Sequence, residues 1–288
     1  MSCTVSTVNK IVNNLGDIAV LGLGEAGRAI ATDLARAGAS VVGWDPVAAA
    51  PDGVRPAAGP VEAVGGAGIV LSVNSAAVAR DVIASVAPAL ATVARDAAAE
   101  APPPATDVIF ADLNTSSPAL KAELATTVEA AGASFADVAL LAPVPGRGLA
   151  TPALASGSGA EALAAALNPL GAAIEALGPR AGEAAERKLL RSVFVKGMAM
   201  AALEGLAAAR AAGCEDWARG QLVELLDAAD AALLERWEKG SVAHAARRAE
   251  EMSAAAAMLA ELQVPAPISA GAAQAFRELN EEGAGVRN

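Results

Sequence analysis

The 288-residue chain carries a formal net charge of −11, which argues against nucleic acid and anionic membranes as partners, because both demand basic surface. Apolar residues make up 54% of it, enough for a sizeable core in one large domain or two medium ones. Two cysteines (Cys3 and Cys214), one histidine (His244) and no tyrosine argue against a disulfide framework, a thiolate or His-based metal site, a Ser-His-Asp triad and tyrosine-dependent reduction.

The first residues are polar and mixed, so 1–16 read as a flexible leader rather than a secretion signal. An apolar run, Ile18 to Leu21, then enters a glycine-rich turn in which Gly22, Gly24 and Gly27 make the spacing G-x-G-x-x-G. A helical pattern follows from Glu25 to about Ala37 and ends at Gly38. A second apolar run, Ser40 to Trp44, stops at Asp45. Strand, turn, helix and strand in that order, with an acid about 20 residues after the first glycine, make a dinucleotide site. Gly22 permits the tight turn, Gly24 lets backbone N–H groups approach a pyrophosphate, and Gly27 lets the helix pack closely on the strand. Leu23, Glu25 and Ala26 complete the turn. The positive end of the helix dipole then faces the phosphates. Asp45 is expected to accept the adenosine ribose hydroxyls and to repel a 2′-phosphate. With no basic residue adjacent in sequence (Arg55 is ten residues on), NAD is the expected cofactor ahead of NADP.

Beyond Asp45 the pattern predicts a short third strand near Val54, a short helix from Val61 and a fourth strand over Gly68 to Asn74. A helix over Ala76 to Ala99 should be interrupted near Pro88, and Ala101 to Thr106 (APPPAT) should be a rigid turn. A fifth strand over Val108 to Leu113 ends in Asn114, Thr115, Ser116, Ser117 and Pro118. A helix over Leu120 to Ala131 and a sixth strand over Ser134 to Leu141 follow. Alternation of this kind predicts a mainly parallel sheet with helices on both faces. Its ligand crevice lies at the carboxyl ends of the strands. Those ends carry Gly22 to Gly27, Asp45, Val73 to Ser75, and Asn114 to Ser116.

Ala142 to Gly159 reads as loop, with Arg147 between two glycines that could close over a substrate. A short further strand-and-helix unit runs to Leu177. From Gly182 to Ala212 the pattern is one long helix. From Trp217 to Leu262 it stays helical, broken near Gly240, with His244 on a solvated charged stretch. A last helix covers Ala270 to Leu279 before a frayed tail. No run of about 18 strongly apolar residues is free of charge and helix breakers, so no membrane span is expected. The expected architecture is an α/β doubly wound parallel sheet of the Rossmann type, followed by an all-helical C-terminal domain. The expected bounds are 1–16 for the leader, 17–180 for the dinucleotide-binding domain and 181–288 for the helical domain.

The chain resembles the β-hydroxyacid dehydrogenase superfamily, which includes the 6-phosphogluconate and 3-hydroxyisobutyrate dehydrogenases, from Ile18 to about Phe276. Four blocks carry the resemblance. They are the glycine turn, with Ala26 in place of a common methionine, and Asp112, Asn114, Thr115 and Pro118, matching D-x-S-T-x-x-P with Asn114 for serine. The third is Phe135 to Gly157, and the fourth is Gly182 followed by Lys188 at the start of the long helix. The resemblance implies that Lys188 is a catalytic general acid/base and that Ser192 stands where the family has asparagine. It also implies that Asn114 and Thr115 contact the nicotinamide ribose or substrate, and that the helical domain mediates a homodimer. Lys188, Ser192 and Lys196 fall at i, i+4 and i+8 on one helix face. Lys196 is the alternative acid or a binder of an anionic substrate group.

The third block departs from the family. Leu141, Ala142 and Pro143 stand where the family has Ser-Gly-Gly, the segment that cradles a substrate carboxylate. Proline has no N–H to offer. That segment looks more like imine reductases, which run apolar before a proline. The expected function is a cytoplasmic NAD(P)-dependent oxidoreductase acting on a C–O or C=O group of a small substrate. An imine reductase-like enzyme reducing C=N bonds is the alternative, and a non-catalytic dinucleotide-binding protein a second one.

Overall fold

A computed structural model describes residues 16–100 and 108–285. All but the last residue of the expected leader, the APPPAT turn and the last three residues of the tail lie outside the described residues. Contacts divide the chain into two compact units after Leu190.

The first unit is built on β1 (Asp17–Leu21), α1 (Glu25–Arg36), β2 (Val41–Trp44), β3 (Arg55–Pro56), α2 (Pro60–Val64), β4 (Ala67–Ser72), α3 (Ala79–Glu100), β5 (Ile109–Asp112), α4 (Pro118–Ala130) and β6 (Ser134–Leu140). β7 (Pro152–Ser156), α5 (Ala160–Leu167) and β8 (Ala173–Gly178) complete it, with the first turns of α6 (Glu183–Ala211). The strands form one eight-stranded sheet in the order β3-β2-β1-β4-β5-β6-β7-β8. The order reverses between β1 and β4, where ligand crevices form in sheets of this kind. Central strands are largely apolar because helices cover both faces. Ile30, Leu34 and Leu163 from α1 and α5 pack on one face, while Ile83, Leu90 and Leu124 from α3 and α4 pack on the other.

Two local expectations are corrected. α3 runs without a break through Pro88. Burial of Ile83, Val86 and Leu90 outweighs the one lost backbone bond. The stretch expected as loop contains β7, which pairs with β6 antiparallel. Only a single 3-10 turn, Gly148–Ala150, lies between these two strands, too short for a parallel crossover, and the chain turns back. Gly148 and Leu149, within the stretch expected as loop, are held by the first unit itself. They are docked on α1, where the Leu149 N–H donates to Asp33 Oδ2 at 3.0 Å. Gly148 has φ +52°, and an added Cβ there would lie 1.8 Å from the same oxygen.

The second unit holds the remainder of α6, then α7 (Glu215–Asp227), α8 (Ala231–Ala243), α9 (Ala245–Glu261) and α10 (Pro267–Gly285). The last helix is thus longer at both ends than its apolar pattern predicts. Its start is held by Glu204, whose carboxylate accepts the Ile268 and Ser269 N–H groups, each at 2.8 Å. Desolvation acts to raise the Glu204 pKa, but the Ser269 hydroxyl and these two amides outweigh it and hold the pKa below its ordinary value. The breaks fall at Ala228 to Asp230 and at His244, not near Gly240. Asp230 caps α8 by accepting the Leu233 N–H at 2.7 Å, and an N-cap of that kind starts a helix where periodicity alone shows none. His244 is exposed. α6 is long and apolar enough by length and composition to cross a membrane, a property that runs of small and apolar residues over Val193 to Ala209 confer and that sequence inspection passes over.

Candidate active site

Strand register lines the site up. Trp44, Leu21, Ser72, Asp112, Asp137 and Ser156 are consecutive partners across β2, β1, β4, β5, β6 and β7. From Ser72 onward the row is polar and buried. Gly22, Asp45, Val73 and Leu113 follow it directly on β1, β2, β4 and β5.

At the β1 end, two glycines are demanded by the fold itself. Gly22 has φ +103°, and a Cβ on it would sit 2.2 Å from the Val73 carbonyl oxygen. A Cβ on Gly27 would sit 1.9 Å from the Gly22 carbonyl oxygen. Gly24 is different: it is exposed, and a Cβ there would meet nothing within 4 Å. The protein's own packing therefore gives no reason for Gly24, whereas a phosphate against the backbone does. Gly24 is also the N-cap of α1 and offers no side chain to the first N–H groups of the helix, which lack intrahelical partners. The turn fits a pyrophosphate. Exposed Glu25 and half-buried Ala26 lie in the first helical turn. Leu23, expected in the cofactor turn, is turned inward. Its side chain is buried and its N–H donates to Asp45 Oδ2 at 2.8 Å.

Asp45 also accepts the Val47 and Ala48 N–H groups on Oδ1, each at 2.8 Å. Desolvation acts to raise its pKa. The three backbone donors and the nearby Arg28 guanidinium outweigh that and keep the carboxyl below its ordinary value. The side chain thus organises the turn after β2 and remains ionised. Arg28, which sequence spacing did not connect with Asp45, reaches the same turn from α1 and donates to the Ala49 carbonyl at 2.7 Å. Its position directly after Gly27 was the available signal.

Val73 and Asn74 follow β4 and flank the glycine turn, with the Val73 N–H donating to the Leu21 carbonyl at 2.8 Å. Asn114 is buried and engaged with its neighbours. Its Oδ1 accepts the Asn74 N–H at 2.6 Å, and its Nδ2 donates to Asp112 Oδ1. It joins the ends of β4 and β5. Ser117, not Ser116, caps α4, accepting the Leu120 N–H. Thr115 is exposed, and its hydroxyl accepts from Lys188 Nζ at 2.8 Å. Two residues 73 positions apart are thus brought together. Gly182 makes that approach possible: it has φ +93°, and a Cβ on it would lie 2.7 Å from the Pro118 carbonyl oxygen. Ser192 and Lys196 belong to the second unit and follow Lys188 along α6. Leu141 donates its N–H to the Pro152 carbonyl at 2.8 Å, so the third block offers no backbone cradle there.

Sequence reading missed a buried charge cluster. Lys121, on α4, is 1% exposed, and its Nζ lies 2.8 Å from Asp112 Oδ2 and 3.0 Å from Asp137 Oδ1. A lysine in a helix of mixed pattern carries no mark of burial, and its partners are distant in sequence. Among the described residues no group of His, Cys, Asp and Glu could hold a metal ion.

The family model for the NAD binding domain of 6-phosphogluconate dehydrogenase matches residues 17–174, more than half of the chain. The chain belongs to that family. This places it in the β-hydroxyacid dehydrogenase superfamily, among NAD(P)-dependent oxidoreductases with a nicotinamide dinucleotide as cofactor. A domain of unknown function matches residues 209–279. A conserved hypothetical protein from Sinorhizobium meliloti 1021 is 28% identical, with 93% of this chain and 89% of that one covered and a TM-score of 0.58. An imine reductase variant from Myxococcus stipitatus, solved with NAD+, is 21% identical over 93% of this chain and 94% of its own, with a TM-score of 0.75. A reductive aminase from Aspergillus terreus, solved with NADPH and ethyl-5-oxohexanoate, is 20% identical over 93% and 94%, with a TM-score of 0.71. No curated protein matches the chain.

Proposed function

We propose that this oxidoreductase moves hydride between the nicotinamide of NAD and a C–O or C=O carbon of a small molecule, with Lys188 as general acid/base. The observation that carries the reading is the 2.8 Å contact from Lys188 Nζ to Thr115 Oγ1. It fixes a mobile ammonium at the polar strand ends, on the same edge of the sheet as the glycine turn. The dinucleotide supplies or accepts the hydride. Lys188 gives the proton to the developing alkoxide, or takes it from the alcohol in the reverse direction. Ser192 is assigned to position the substrate oxygen, and Lys196 to hold an anionic substrate group. NAD is preferred over NADP because ionised Asp45 opposes a 2′-phosphate; Arg28, beside it, moderates that preference.

A second reading, reduction of C=N bonds, is favoured by the engaged Leu141 N–H and by Pro143. Together they remove the backbone cradle a β-hydroxy acid would use. A homodimer through the helical unit is proposed from its uncovered apolar surface. α7 has no buried residue, and an open groove of about 730 Å³ runs between Phe194, Met198, Leu226 and Trp237. A monomer by light scattering at micromolar concentration contradicts this.

The test is turnover of β-hydroxy acids, their keto forms and cyclic imines with each dinucleotide, in the native chain and in Lys188→Met. Turnover lost in the variant, with dinucleotide binding retained, supports the assignment, and full activity refutes it. Binding of dinucleotide without turnover on any member of the panel makes the protein a non-catalytic dinucleotide binder.

A further inference from the structure

Lys121 has no part in the chemistry above, yet it is one of the most deeply buried groups in the first unit. Its Nζ donates to the Asp112 backbone carbonyl at 2.7 Å and stands within ion-pair distance of the carboxylates of Asp112 and Asp137. Those two acids are adjacent partners in the β5–β6 register. Asp137 extends the cluster in the other direction. Its Oδ2 accepts the Ala185 N–H at 2.9 Å, and Ser156 Oγ accepts the Ala184 N–H at 3.0 Å. These are first-turn amides of α6, and Lys188 lies on the next turn.

The contacts close a ring. From Lys121 one arm runs through Asp112 and Asn114 to Thr115, and the other runs through Asp137 and Ala185 to Lys188. The arms meet where Lys188 Nζ touches Thr115 Oγ1. We infer that Lys121 is a positioning residue for the Lys188–Thr115 pair: it pins the end of β5 and the start of α6 to each other, and so sets where the Lys188 ammonium stands.

Electrostatics supports the division of labour. One ammonium against two carboxylates leaves the cluster with excess negative charge in a dry site. Desolvation holds the Asp112 carboxyl above its ordinary pKa, against the pull of Lys121 and Asn114. The positive end of the α6 dipole, presented by Ala184 and Ala185, is the natural complement to that charge. Buried ion clusters add little stability compared with apolar packing of the same volume. What an apolar side chain could not do is hold a carbonyl and two carboxylates around one cation.

The inference rests on Lys188 as the proton-transfer group only for its consequence in catalysis; the positioning itself is measurable without a substrate. The full chain is treated with limiting acetic anhydride, and labelling of each lysine is read by mass spectrometry. In Lys121→Met, labelling of Lys188 rises about threefold to tenfold, the worth of one hydrogen bond, while Lys239 in the second unit keeps its rate. Unchanged Lys188 labelling overturns the inference. If Lys121→Met fails to fold, Asp137→Asn keeps the side-chain shape and an acceptor for the Ala185 N–H. The same rise is expected there, and unchanged labelling again overturns the inference. With any panel substrate that turns over, kcat in these variants falls about tenfold with KM for the dinucleotide unchanged, as for an interaction made only in the transition state. Raised labelling beside a fully active Lys188→Met keeps the positioning and removes the catalytic reading. An inactive Lys188→Met beside unchanged labelling does the reverse.

Discussion

The two ends of the polar crevice are built on opposite principles. At the β1 end, Gly22, Gly24 and Gly27 shape bare backbone, and the design depends on what is missing from three side chains. At the β5 and β6 ends, Lys121, Asp112, Asn114 and Asp137 fill the interior with charge and hydrogen bonds, and the design depends on one buried cation set between two carboxylates. The first end leaves its amides open for a ligand; the second leaves its own groups engaged and delivers one ammonium, Lys188, to its edge. The difference teaches that a binding site and a positioning site in the same crevice respond oppositely to substitution. A small change at Gly24 acts on ligand affinity, while changes in the cluster act first on stability and geometry.

The largest expected effect breaks the charged end. Lys121→Met leaves two buried carboxylates without their cation, so unfolding free energy falls by about 3–5 kcal/mol, read as a lowered midpoint in denaturant titration. A variant as stable as the native chain would mean the cluster is not buried as described. Next, Gly22→Ala places a Cβ against the Val73 carbonyl in a left-handed backbone, at a cost of more than about 2 kcal/mol, with dinucleotide binding lost as well. Gly24→Ala separates the two functions of the turn. Stability should stay within about 0.5 kcal/mol, as at surface positions. Dinucleotide affinity should fall at least about tenfold, which is 1.4 kcal/mol; calorimetric titration measures it. Equal losses of stability in Gly22→Ala and Gly24→Ala would erase the distinction between them.

The smallest effect concerns pH. The folded pKa of Asp45 lies below its unfolded value, so its contribution to stability is present above the ordinary carboxylate range. It is lost as pH falls through the folded pKa. Asp45→Asn should therefore be less stable than the native chain at neutral pH, with the gap closing in acid. The same variant should narrow the preference for NAD over NADP, since the charge that opposes a 2′-phosphate is gone. A gap independent of pH would assign the role of Asp45 to shape alone.

The glycine turn was legible because its signal is local: backbone conformation at Gly22 and close packing at Gly27 are needs that only glycine meets, and they leave a fixed spacing. The alternation of strands and helices was legible for the same reason, as a periodicity within each element. β7 was not, because Pro152 to Ser156 carries no pattern that separates a strand from loop until β6 lies beside it. Gly182 and Lys188 were singled out only through family likeness, and nothing in their neighbourhood showed that Thr115 would be the contact. Arg28 beside Asp45 and Asn114 turned inward were equally invisible, since both depend on which side chains from other strands arrive first.

By itself, then, the sequence determined the α/β order, the dinucleotide turn and the family, each written in residues close together along the chain. The tertiary structure alone decided that Lys121 is buried against Asp112 and Asp137, that Asp137 holds the first turn of α6, and that Lys188 meets Thr115. The physical reason is that burial of charge is a property of the whole fold. A lysine is written identically whether it faces water or completes a ring of acceptors, and only the strands that surround it make the difference.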